Sequence, residues 1–143
     1  MGSSTVIEEG QGLWVMAGIS RNKRALSSTQ IVRPGQPTVW GPNMTEETTG
    51  QCSATLGDWS VMVTGGQRRS NLGGSDRTEV YNFTSQQWTN KTAMTQRRAR
   101  HSCTNVWLDP YHDSVNSNGI ITTSVTNRSV LSVVVAGGNL VAP

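Results

Sequence analysis

The chain has 143 residues, 12 of them Lys or Arg and 9 Asp or Glu, for a formal net charge of +3 and a charged fraction of only 15%. That length suffices for one domain with a hydrophobic core, while so mild a charge without a supporting motif argues against a nucleic-acid binder. Two cysteines are too few for a disulfide-dense secreted module, and no apolar run approaches membrane-spanning length.

The opening MGSSTVIEEG has no signal-like apolar stretch, and Val6 stands where a myristoylation signal needs Ser or Thr. As given, the chain reads as soluble. Short β-prone runs then alternate with Gly, Pro, Asn and Ser clusters, which predicts an all-β fold. Strands are expected over 13–18, 29–33, 38–41, 51–56, 60–65, 77–82, 86–89, 100–107 and 130–137. Gly57-Asp58 suits a tight hairpin, because Gly accepts positive φ at the first central position. An insertion over about 108–129 separates the last two strands, and Ile120–Thr126 within it is a further candidate strand. Asp109-Pro-Tyr-His-Asp113 reads as a polar loop, since its spacing matches no cation-binding loop.

Landmarks recur with a period near 50. Three apolar runs end in glycine: Trp14–Gly18, Val61–Gly66 and Val133–Gly138. An apolar run of this length bounded by glycine reads as a strand buried on both faces. Trp40 and Trp88 are 48 residues apart, Met44 and Met94 50, and Cys52 and Cys103 51. Gly65 and Gly137 are 72 apart, which places the insertion between them. Cys52 and Cys103 therefore occupy equivalent positions and read as small packed hydrophobes, with a single bridge as the alternative.

The stretch Trp59–Met94 carries the double glycine Gly65-Gly66, then Tyr81 and Trp88 with six residues between them, then Met94. In this order it resembles a kelch repeat. The resemblance implies a partial kelch-type β-propeller of four-stranded antiparallel blades: 1–49 as an incomplete blade 1, 50–95 as a complete blade 2, and 96–143 as an incomplete blade 3. In blade 1, Ile19 stands where the second glycine is expected and Arg33 where the tyrosine is; Trp40 and Met44 keep the pattern. Blade 1 is expected to lack its innermost strand, and blade 3 its outer two. Tyr81 and Trp88 are expected to fill the space between blades. A closed propeller takes at least four blades, so further blades from a longer chain, or copies of this one, are expected to complete the ring.

In that architecture the loops between blades and those following the double glycine share one face. Arg21, Lys23, Arg24, Arg68, Arg69, Arg97, Arg98 and Arg100 map to it. Arginine forks bind carboxylates and phosphates through paired hydrogen bonds. Arg68 and Arg100 resemble the arginines with which kelch ubiquitin-ligase adaptors hold acidic peptides. The expected function is thus a non-enzymatic protein-binding scaffold, with no cofactor, whose arginine face takes an acidic or phosphorylated protein or peptide. A solvated polar loop face is the competing reading of the same arginines.

Kelch-type folds also include galactose oxidase, so a fragment of a secreted oxidase-like or carbohydrate-binding propeller is the alternative. Such a copper site needs histidines, tyrosines and a cysteine converging on the metal. His101, His112, Tyr81, Tyr111, Cys52 and Cys103 show no recognisable ligand spacing. Asn43, Asn82, Asn90 and Asn127 each open an Asn-X-Ser/Thr motif, a glycan acceptor in a secreted protein.

Overall fold

The computed structural model describes residues 3–6, 13–56, 60–68, 73–108, 111–115, 121–125 and 130–138. The first sheet comprises β1 (Ser3–Val6), β2 (Leu13–Ile19), β3 (Ala25–Val32) and β4 (Val39–Gly41), each antiparallel to the next. The second repeats the plan with β5 (Cys52–Leu56), β6 (Ser60–Thr64), β7 (Thr78–Asn82) and β8 (Gln87–Lys91). β9 (Ser102–Leu108) pairs with β12 (Val130–Ala136). Between them in the chain, β10 (Tyr111–Val115) and β11 (Ile121–Val125) form a separate antiparallel pair. The described residues contain no helix. The fold is all-β, an open partial propeller of antiparallel blades.

The first sheet has four strands, not the three expected. Its innermost strand, β1, is the polar run SSTV, which pairs with β2 from Ser3↔Met16 to Val6↔Leu13. The insertion likewise contains two strands, and His112 and Asp113 belong to β10. A middle strand must be covered on both faces, and Thr78, Glu79, Val80 and Tyr81 of β7 are all buried. At the sheet edge, β8 is mostly exposed.

β5 lies against β1 on one side and β9 on the other, so the three inner strands run side by side. This closeness brings Cys52 and Cys103 to a Cα–Cα distance of 5.9 Å, and they form a disulfide. The bridge replaces the expected pair of unlinked small hydrophobes. Equivalent positions on adjacent inner strands face one another within bonding reach.

The two full sheets meet through aromatic side chains. Trp14 of β2 is fully buried. Its ring meets Tyr81 edge-on at 4.9 Å, Phe83 at 5.3 Å and Trp88 at 5.9 Å. Such tilted and T-shaped geometries suit the ring quadrupoles. Trp88 Nε1 donates to the Pro42 carbonyl at 3.2 Å, a second tie across the interface. Met16, Met44, Val61 and Val63 complete this core. Burial pushes the Tyr81 phenol up. Trp40, 48 residues before Trp88, is 72% exposed.

The glycine pair also differs from expectation. Gly65 and Gly66 have φ of 63° and 100°, and a Cβ on Gly65 would lie 2.5 Å from the Arg98 carbonyl oxygen. Gly66 N donates to that carbonyl at 2.9 Å. In the first sheet the positive-φ pair is Ala17 (55°) and Gly18 (125°), and Gly18 N points to the Thr48 carbonyl at 3.4 Å. Gly18 is thus the second glycine of its pair, and Ala17 replaces the first. Ile19 lies beyond the turn.

Candidate functional site

Residues after Gly66 fold back against the connections into two inner strands, Thr49 leading into β5 and Arg98 into β9. Thr49 bridges Gln67, and Ser75 bridges Arg98. A groove of about 450 Å³ opens beside this junction, lined by Glu46, Arg68, Gly73–Thr78, Asn90, Lys91, Ala93 and Arg97.

Its floor is a charge chain. Arg77 reaches two carboxylates: Nη1 donates to Glu46 Oε2 at 3.2 Å, and Nη2 grips Glu79 Oε1. Glu79 is fully buried, and its other oxygen accepts from Thr45 N at 3.2 Å and Thr45 Oγ1 at 2.6 Å. A buried carboxylate is tolerated only when paired and hydrogen-bonded. Thr45 lies on the connection between the sheets, so this site also pins one sheet to the next. Arg68 pairs with Glu46 at the groove mouth. Burial opposes ionisation of Glu46, but the Arg68 and Arg77 guanidiniums hold its carboxyl below the usual range.

The eight basic positions have different surroundings. Arg68 and Arg97 reach the groove, with side chains 62% and 71% exposed. Arg97 Nε lies 4.0 Å from Asp76 Oδ2. Arg98 turns away: Nη1 donates to the Gly137 carbonyl at 2.6 Å and Nη2 to Gln96 Oε1 at 3.1 Å. Arg100 is exposed, and its backbone N donates to the Gly50 carbonyl at 2.7 Å. Arg21, Lys23 and Arg24 are exposed on the turn between β2 and β3, which Ser20 closes through bonds to Lys23 and Arg24. Arg69 lies outside the described residues. The groove therefore assembles Arg68 and Arg97 with Glu46 and Arg77, over the buried Glu79; sequence reasoning had singled out neither Glu46, Arg77 nor Glu79. The signal was an acid inside the strand TEVYN, where a buried middle strand requires a partner for it.

Below the junction, His101 is 8% exposed. Its Nε2 lies 2.9 Å from Thr64 Oγ1, and Nδ1 has no hydrogen-bond partner among the described residues. Burial and then the nearby Arg98 charge push its pKa down, against a smaller upward pull from Thr64. No group of three or more His, Cys, Asp or Glu side chains among the described residues could hold a metal ion.

No protein-family model matches the chain, and no curated protein does. Among solved structures it is similar to a novel fungal alcohol oxidase with catalytic diversity among the AA5 family, in complex with copper. The TM-score is 0.61 over 84% of this chain, at 14% sequence identity. The chain spans 29% of the length of that oxidase. At this identity the similarity shows the fold alone.

Proposed function

We propose that these blades are of the kelch type and serve as a non-enzymatic protein-binding scaffold, gripping an anionic peptide segment in the groove beside Arg68 and Arg97. The observation that carries this reading is the arrangement of charge. Four cationic side chains, Arg68, Arg77, Lys91 and Arg97, line the groove against Glu46 and Asp76. Glu79 beneath takes up one further positive charge, which leaves a surplus of one. Arg68 and Arg97 are well exposed there, at 62% and 71%. Their ion pairs are exposed, and such pairs contribute ~0–1 kcal/mol. An incoming carboxylate or phosphate can therefore compete for either guanidinium at low cost, and bind it through two parallel hydrogen bonds.

The test is a calorimetric titration with a Glu-rich peptide, with and without its serine phosphorylated, across a salt series. Arg68→Glu combined with Arg97→Glu should weaken binding ~10-fold or more, about 1.4 kcal/mol, and flatten the salt dependence. Unchanged affinity in a folded double variant would remove the groove from the reading.

A second reading, that the blades belong to a secreted oxidase-like propeller with its chemistry elsewhere, is supported by the structural similarity to the copper-containing oxidase. Four of the residues that a copper site would draw on are otherwise engaged, while the side chains of Tyr111 and His112 lie outside those described. Both cysteines are consumed by the disulfide, Tyr81 is packed among aromatic rings, and His101 Nε2 is engaged with Thr64.

A further inference from the structure

We propose that Asn82 carries an N-linked glycan, acquired in an oxidising secretory compartment. Two independent observations meet here. The first is the Cys52–Cys103 disulfide, which accounts for both cysteines. Structural disulfides persist in secreted and lumenal proteins and are rare in the reducing cytosol. The second is the placement of the Asn82-Phe83-Thr84 acceptor motif at the exposed turn joining β7 to β8.

The turn presents the correct atom. Asn82 Oδ1 accepts from Thr84 N at 2.8 Å and Ser85 N at 2.9 Å. That holds the carbonyl end of the amide against the backbone, while Nδ2 makes no hydrogen bond among the described residues. Phe83 anchors the turn by packing on Trp14 and Tyr81. A glycan on Nδ2 would project from a fixed base into solvent. The groove starts at the other end of β7, around Thr78. Four residues at ~3.3 Å each put it ~13 Å away, so the glycan and a groove ligand are compatible.

The other acceptors are less suitable. Asn90 lines the groove, and its Oδ1 lies 3.4 Å from Thr45 Oγ1. Asn43 adjoins the buried Met44, and the N–H and hydroxyl of its acceptor-motif Thr45 are committed to Glu79. Asn127 lies outside the described residues.

The reaction joins Asn82 Nδ2 to the anomeric carbon of a lipid-diphosphate-linked oligosaccharide. The new bond is C–N, and the sugar–phosphate C–O bond breaks. The lipid diphosphate leaves with the electron pair, and the amide proton passes to the transferase base.

The test is mass spectrometry of the protein from its native source and of the full chain from a eukaryotic secretory host, before and after peptide-N-glycosidase. The expected result in both is loss of a glycan mass, with Asn82 converted to Asp. Thr84→Ala should abolish the modification while leaving Asn82 to close its turn, and Thr84→Ser should retain it. Circular dichroism verifies that both variants fold. Unmodified Asn82 in the folded native protein, or a glycan at Asn82 that survives Thr84→Ala, would overturn the proposal.

Discussion

Replacing Trp14 by alanine tests whether the two four-stranded sheets pack as neighbouring blades. Trp14 is fully buried and meets three aromatic rings of the second sheet within 6 Å. Large-to-small changes of this kind cost ~3–5 kcal/mol. Each lost ring pair adds ~0.5–1.5 kcal/mol beyond area burial, so the upper end of the range applies. At roughly 4 °C per kcal/mol for a chain of this size, the melting temperature should fall by ~20 °C. The assay is thermal unfolding followed by far-ultraviolet circular dichroism, with a urea titration alongside. Trp40→Ala is the control: at 72% exposure its removal should cost under ~0.5 kcal/mol. Equal, small effects of the two substitutions would refute the interface.

Arg77→Met should cost ~3–5 kcal/mol in urea unfolding, because it leaves the fully buried Glu79 carboxylate without its cation. His101 binds its proton less readily folded than unfolded, so stability should be full above its ordinary value near 6.5 and fall as pH drops from there through the depressed folded-state value. Melting curves across pH should show that slope, and His101→Gln should flatten it. Cys52→Ser with Cys103→Ser releases a crosslink spanning 51 residues, which chain entropy values at about 4 kcal/mol. Matched denaturant titrations of the double variant and the parent would show a loss near that size.

The second blade was legible strand by strand, to within two residues at each end, because its strands combine apolar runs with glycine ends and an in-frame aromatic pair. The expected 51–56, 60–65 and 77–82 became Cys52–Leu56, Ser60–Thr64 and Thr78–Asn82. β1 was not legible: SSTV has no apolar signal, and only its pairing to β2 makes it a strand. The Ala17-Gly18 turn was misaligned because Ala takes positive φ there without the expected glycine. The arginine face was visible as composition. Its partners were not, since Glu46 and Asp76 come from separate loops that only the fold brings to Arg68 and Arg97.

The most direct test of the architecture is disulfide mapping of the native protein, alkylated in denaturant without reductant and then digested. A Cys52–Cys103 linked peptide that separates on reduction is expected, because β5 and β9 run side by side as inner strands of neighbouring blades. Full alkylation of both thiols before reduction would contradict that arrangement and the oxidising compartment inferred from it.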